Sequence, residues 1–88
     1  MDETSVLDHL EALAYSLEIQ VRYERLDSET AFPGGGLCRV KGKRYIIVNS
    51  GATTAEKVRT LTRALRRFDL SSLYLKPALR DLLEGPAE

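Results

Sequence analysis

The spacing of apolar residues along the chain changes repeatedly, and the first change separates a helix from a strand. Near the N-terminus apolar residues recur every three or four positions, as on the buried face of a helix: Val6, Leu10, Leu13, Ala14 and Leu17. Ser5 and Asp8 have the spacing of a capping box, so we expect this helix to begin at Thr4 or Ser5. Apolar and polar residues then alternate from Ile19 to Tyr23, which predicts a half-buried strand.

Two further strands are predicted at Leu37 to Val40 and at Arg44 to Asn49. The short connection Lys41-Gly42-Lys43 predicts a tight hairpin, in which Gly42 supplies a positive φ. The run from Tyr45 to Val48 is continuously apolar, so we expect this strand to be covered on both faces.

The second half of the chain returns to helical spacing. Thr53 and Glu56 form a second capping box, and the helix that they open is expected to run from about Thr54 to Phe68. Its apolar stripe consists of Val58, Leu61, Leu65 and Phe68. Pro77 is placed to begin a final short helix that ends at Glu84, before Gly85-Pro86.

These elements predict an α+β fold: a helix, a three-stranded antiparallel meander, a second helix and a short C-terminal helix. The 88 residues are enough for one small domain, residues 1–88, with an ordered core from about 5 to 84. Hydrophobic residues make up 43% and charged residues 30% of the chain, so the composition is that of a globular protein rather than a disordered one.

The net charge is zero, but the two signs are unevenly distributed. Residues 1–32 contain eight acids and two bases, a net of −6, whereas residues 33–88 contain eleven bases and five acids, a net of +6. This asymmetry suits two halves that pack together, self-association of unlike faces, or a face that binds anions.

Cellular location is predicted from cysteine usage and hydropathy. Cys38 is the only cysteine, so no internal disulfide can form, which fits a reducing compartment. Met1-Asp2-Glu3 is acidic and is not followed by the apolar block of a signal peptide. The longest strongly apolar run has four residues, against the roughly 20 that span a bilayer. We therefore expect a cytoplasmic protein that does not enter a membrane.

Residue types that carry chemistry are sparse. His9 and Cys38 each occur alone, so neither a zinc site nor a nucleophile with its base is predicted, although a Cys38-dependent enzyme that uses His9 stays open as a minor alternative. The glycines of Pro33 to Gly36 precede a strand rather than a helix, which is the wrong context for a phosphate-binding loop. No cofactor, metal ligand or catalytic residue is predicted.

A basic stretch between residues 39 and 67 is the most distinctive surface feature. Four arginines are expected on the outer side of the second helix, opposite its apolar stripe, and three further bases come from the hairpin region. The predicted interaction surface consists of Arg59, Arg63, Arg66, Arg67, Lys41, Lys43 and Arg44.

The stretch from Leu7 to Phe68 resembles the N-terminal part of the ImmA/IrrE-type zincin-like metallopeptidases. That family has a helix, a strand, a glycine-containing turn, two strands ending in a V-N-S-like sequence and a helix with the motif T-L-x-H-E-L-x-H. Here Val48-Asn49-Ser50 ends the third strand, and the helix carries T-L-T-R-A-L-R-R from Thr60 to Arg67.

The resemblance implies a degenerate relative that has lost its zinc site. Arg63 and Arg67 stand where the family has its zinc-binding histidines, and Ala64 stands where it has the glutamate that acts as general base. Guanidinium groups stay cationic and do not ligate zinc, so the activated water of a metallopeptidase is not expected.

From these observations we expect a non-enzymatic interaction or regulatory domain that binds a protein partner or itself. The alternative is a module that binds nucleic acid or another anion through the basic stretch 39–67, with arginines and lysines meeting phosphates.

We expect the folded protein to bind no structural or catalytic zinc, because a closed zinc site takes four ligands and the chain has one His and one Cys. Elemental analysis of chelator-washed protein should find none. Stoichiometric zinc that is required for folding would contradict the degenerate resemblance.

Overall fold

A computed structural model describes residues 2–25 and 36–85 of the chain. Its elements are α1 (Glu3–Ser16), β1 (Ile19–Glu24), β2 (Gly36–Val40), β3 (Lys43–Asn49), α2 (Thr54–Leu65) and α3 (Pro77–Glu84). The predicted α+β class is therefore confirmed, with every predicted helix and strand present. The loop predicted from Asp27 to Gly36 on the basis of its turn-forming residues lies outside the described residues up to Gly35.

The sheet is mixed, which corrects the predicted antiparallel meander. Its strand order is β1-β3-β2, so β3 is the central strand. β2 pairs with β3 antiparallel, whereas β1 pairs with β3 parallel, with Val21 opposite Ile46. The meander was expected because consecutive strands often pair. However, eleven residues separate β1 from β2, and a connection of this length does not require the two strands to form a hairpin. The most apolar strand, β3, therefore takes the central position.

The hairpin between β2 and β3 is confirmed. Lys41 and Gly42 both have positive φ, at 52° and 80°, which is the geometry of a two-residue type I′ turn. Such a turn matches the right-handed twist of the strands that it joins, and it fixes Arg39 opposite Arg44 in the register of the pair.

Among the residues that the structure describes, helices cover one face of the sheet and leave the other open. Ile46 and Val48 are fully buried on this helix face, while Tyr45 and Ile47, on the opposite open face, are half-buried. The expectation that β3 is covered on both faces is therefore wrong for the described residues. On the open face, Tyr45 lies opposite Cys38 of β2, with its ring centre 6.0 Å from the Arg22 guanidinium of β1, so side chains of the two neighbouring strands cover it in part.

Cys38 also lies on the open face, since it pairs with Tyr45, and it is half-buried. The alternation of Cys38 with Val40 along the strand predicts a thiol buried in the core, and this prediction is wrong. The residue that β2 contributes to the core is Leu37, which pairs with the buried Ile46. Alternation along the strand was correctly identified, but its phase relative to the helices was not.

Both long helices begin at hydrogen-bonded caps, although one cap differs from the expectation. Asp2 caps α1: its carboxylate accepts from the Ser5 backbone N–H at 2.8 Å, and this hydrogen bond lowers the pKa of Asp2. The helix therefore begins earlier than the predicted Ser5 box. For α2 the predicted N-cap is confirmed, because the Thr53 hydroxyl accepts from the Glu56 N–H at 3.2 Å. The Glu56 carboxylate accepts from the Thr53 hydroxyl at 3.1 Å rather than from the Thr53 backbone N–H, which differs from the predicted capping box.

The core lies between the sheet and the helices. α1 and α2 pack against each other and against the helix face, and α3 adds two buried leucines. α2 ends at Leu65, three residues before the predicted end, while Phe68 still packs on the core from the following turn. Pro77 opens α3 and Gly85 follows its last residue, as predicted.

Replacing Leu61 or Leu65 by Ala should lower the free energy of unfolding by about 2–5 kcal/mol, because both side chains are fully buried. Arg63→Ala, an exposed position between them on the same helix, should change it by less than about 0.5 kcal/mol. Denaturant unfolding of the three variants checks this. Equal costs at the leucines and at Arg63 would contradict the orientation of α2.

Candidate interaction surface

Three arginines form a row along the solvent side of α2 and the turn that follows it. Arg59, Arg63 and Arg67, here called the arginine row, are spaced four residues apart and all exposed. Four residues of helix advance about 6 Å, so Arg59 and Arg63 lie about 6 Å apart along α2, and Arg67 follows in the turn after the helix. Within the described residues none of the three makes a salt bridge. The row therefore presents positive charge without a carboxylate partner from the described chain.

Arg66 does not belong to this exposed row, although the sequence predicted that it points to solvent. It is half-buried, and its guanidinium donates to the Leu82 carbonyl at 2.8 Å and to the Gly85 carbonyl. These are carbonyls at the C-terminal end of α3, where backbone acceptors have no partner within the helix. Arg66 therefore fastens α3 to the end of α2, and its charge is used inside the fold.

Arg44 is likewise engaged within the fold. Its guanidinium lies 5.0 Å from the centre of the Phe68 ring and donates to the Leu17 carbonyl at 3.4 Å. Leu17 caps the C-terminus of α1, where a cation interacts favourably with the helix dipole. By contrast, Lys41 and Lys43 are exposed at and beside the hairpin turn.

The predicted basic residues therefore form two groups, those that make contacts within the fold and those that are exposed to solvent. β3 begins at the hairpin, and Arg44 at its start contacts Phe68 just beyond α2, so the hairpin and the C-terminal end of α2 lie at the same end of the molecule. Lys41, Lys43 and Arg67 are exposed at this basic end, while Arg59 and Arg63 continue the charge along α2.

Negative charge lies on the neighbouring helix. α1 packs directly against α2, and its first turns expose Asp2, Glu3 and Asp8. Because α1 and α2 each run antiparallel to the parallel strands β1 and β3 beside them, the acidic start of α1 lies away from the basic end. The uneven charge of the sequence is therefore an uneven charge of the surface.

The residue types that could carry chemistry are not brought together. Cys38 lies on the open face of the sheet, while His9 lies on α1 on the opposite side and bonds the Ser5 carbonyl at 2.7 Å. The sheet separates this thiol from this imidazole. Residues 2–25 and 36–85 contain no group of three or more metal-ligating side chains. No helix within these ranges is long and apolar enough to cross a membrane.

A groove between α1 and β1 is a feature that the sequence reasoning missed. It has a volume of about 380 Å³ and is lined by Glu11, Tyr15, Ile19, Gln20, Val21 and Tyr23. The Tyr23 hydroxyl donates to the Glu11 carboxylate across it, and burial together with this hydrogen bond raises the pKa of Tyr23. The available signal was Tyr15, an aromatic residue on α1 that does not belong to the predicted apolar stripe.

Comparison with protein-family models, with curated proteins and with solved structures finds no match to this chain. The resemblance to the ImmA/IrrE-type scaffold therefore stays a prediction that rests on the order of elements and on the residues of α2.

Arg66 and Arg67 are adjacent but should differ in their effect on stability. Arg66→Ala should lower the free energy of unfolding by roughly 1–3 kcal/mol, because two carbonyls of the α3 end lose a charged donor. Arg67→Ala removes an exposed side chain and should stay within about 0.5 kcal/mol. Thermal or denaturant unfolding measures both. If the two variants cost the same, Arg66 does not fasten α3.

Proposed function

We propose that the chain is a non-catalytic interaction domain that binds an acidic protein partner through the arginine row, with Lys41 and Lys43 at the edge of the contact. A cytoplasmic location is part of the proposal, since the chain carries one cysteine and no second thiol to pair with it. The single observation that carries the proposal is the arginine row itself. Its three guanidinium groups are exposed, come from positions four residues apart, and form no ion pair within the described chain.

Guanidinium groups suit this role because each offers several donors in a rigid plane that matches a carboxylate. Arg59 and Arg63 project from a helix whose other side is anchored by Leu61 and Leu65, so the core fixes the backbone positions from which they extend. A partner helix or loop with carboxylates about 6 Å apart would meet successive arginines. A fixed spacing of the arginines along the helix favours the one alignment of the partner in which each carboxylate meets an arginine.

The resemblance to a metallopeptidase scaffold supports a binding role over catalysis. In the register of the family's motif, Arg63 and Arg67 replace the metal-binding histidines, and Ala64 replaces the general base. Ala64 is buried in the core, whereas Arg63 and Arg67 are exposed. On this view a helix that once held a metal has become a helix that presents cations.

The second candidate function is binding of nucleic acid, which the same arginines favour because they could neutralise phosphates. The acids of α1 argue against it. A nucleic acid is uniformly negative along its length, so a strand that extends from the row over α1 would meet Asp2, Glu3 and Asp8. A protein can instead place its carboxylates opposite the row and neutral or basic groups opposite α1.

Affinity capture from nuclease-treated extract, with quantitative mass spectrometry, tests the proposal. An acidic partner should bind the wild-type chain and be lost with Arg63→Glu plus Arg67→Glu, because two of the three positions of the arginine row then repel its carboxylates. The matched control is Arg25→Glu plus Lys76→Glu, which makes the same change of charge at exposed positions outside the row. This control should retain the partner.

Fluorescence anisotropy with short RNA and DNA oligonucleotides provides the opposing measurement. At roughly 150 mM salt we expect no specific complex. The arginine row would contact few phosphates, so the release of counterions would contribute little binding free energy. Two results together would instead make nucleic-acid binding the function. One is a sub-micromolar complex whose affinity falls log-linearly with salt concentration. The other is loss of that complex in the folded variant Arg63→Glu plus Arg67→Glu.

A further inference from the structure

The groove between α1 and β1 runs along the free edge of the sheet. Within the described residues β1 pairs only with β3, so its outer backbone groups have no strand partner. Ile19 and Val21 point to the helix face, while Gln20 points to the open face, yet all three line the groove. Consecutive residues on opposite faces line one groove where it reaches the backbone between them, and among the described residues β1 is the outermost strand on this side. The groove therefore exposes the backbone of β1.

The wall opposite this edge is formed by α1 and is partly aromatic. Tyr15 is 84% exposed, although a ring of this size would bury a large apolar area against a partner. It lies four residues after Glu11 on α1, so the two side chains share one face of the helix. An extended segment laid along β1 would have its helix-facing side chains directed at Tyr15 and at Glu11.

The charge of the groove is negative. Glu11 lines it, and Asp8 on the same side of α1 is close enough to act on the Tyr23 hydroxyl. Among the described residues, Lys57 lies on this side, with its ammonium 5.6 Å from the centre of the Tyr23 ring. Arg22 of β1 lies on the open face, where it forms an ion pair with Glu24 at 3.3 Å. Two carboxylates against one ammonium favour a cationic side chain on the occupant.

We propose that the free edge of β1 binds an extended basic peptide of a partner protein as an added strand. Backbone hydrogen bonds to β1 would hold the peptide, as in other cases of strand addition to a sheet edge. On the helix-facing side, one position would place an apolar residue against Tyr15, and the position two residues away would place Lys or Arg near Glu11. This site lies apart from the arginine row, and the proposal does not rest on it.

The backbone of β1 and the side chains of the groove would contribute differently to peptide binding. The edge of β1 supplies donors and acceptors to any extended chain, so backbone pairing alone gives affinity without selection. Selection comes from the alternating apolar and basic positions, because a strand presents every second side chain to the same face. A peptide with acids in place of bases would meet Glu11 and Asp8 and be rejected.

The probe is an acetylated and amidated peptide of sequence Val-Thr-Lys-Thr-Val-Thr-Lys-Thr, titrated into isotope-labelled full chain and followed by backbone NMR. Amides of β1 and of the Glu11–Tyr15 face of α1 should shift, and outward amides of β1 should gain protection from hydrogen exchange. The same peptide with Glu for Lys, and one with Pro for the central Thr residues, should not bind.

Matched tyrosine variants distinguish binding at this site from nonspecific binding to exposed aromatic rings. Tyr15→Ala should weaken peptide binding by roughly tenfold, as expected for an aromatic anchor at an interface. Tyr74→Ala removes an equally exposed ring, 88% accessible and far along the chain, and should leave the affinity unchanged. Both side chains are exposed, so both variants should fold, which their amide spectra confirm.

Three results of the peptide experiments would overturn the proposal. They are absence of β1 shifts at millimolar peptide, equal binding of the Glu or Pro peptides, and an affinity that Tyr15→Ala does not change. Protection of β1 amides that rises with protein concentration in the absence of peptide would also overturn it, in favour of pairing with a second copy of the chain. None of these results bears on the arginine row, whose test uses other variants and another readout.

Discussion

Burial of one face of the central strand β3 is the constraint on which the rest of the structure depends. Ile46 and Val48 are fully buried in the same cluster as Leu10 of α1 and Leu61 of α2. For a chain this small, a single shared cluster supplies most of the apolar burial that opposes chain entropy. The orientation of β3 therefore sets which face of the sheet meets the helices, which faces of the helices remain exposed, and which strand edges stay free.

The exposed surfaces follow from that arrangement. With Leu61 and Leu65 held in the core, the opposite side of α2 must present Arg59 and Arg63 to solvent. With β3 in the centre, β1 becomes an edge strand beside α1, and the groove between them follows. The two proposed binding sites thus use opposite charges: the arginine row is cationic, and the α1–β1 groove is anionic.

Local patterns predicted the elements well because each pattern has a local physical cause. The spacing of Leu61 and Leu65, the Thr53 cap and the turn at Gly42 depend only on nearby residues, and the structure confirms all three. Strand order could not be predicted in this way. Parallel pairing of β1 with β3 joins residues far apart in sequence, and no local feature of Val21 specifies Ile46 as its neighbour.

The predicted basic surface was divided by contacts of the same long-range kind. Helical periodicity places Arg66 on the polar side of α2, but only the position of α3 shows that its guanidinium reaches the Leu82 carbonyl. Arg44 is similar, because its contact with Phe68 joins strand to helix. Long basic side chains reach far enough that sequence position predicts their direction and not their partner. Arg59 and Arg63, which have no such contact with the described part of the chain, are exposed as expected.

The measurement that tests this account most directly is the pattern of interstrand nuclear Overhauser effects in the folded chain. A central β3 predicts contacts from β1 to β3 in parallel register, with Val21 beside Ile46, together with antiparallel contacts between Leu37 and Ile46. Contacts between β1 and β2 with antiparallel Hα–Hα pairs would instead place β2 in the centre. That result would contradict the buried face of β3 and remove the free edge of β1.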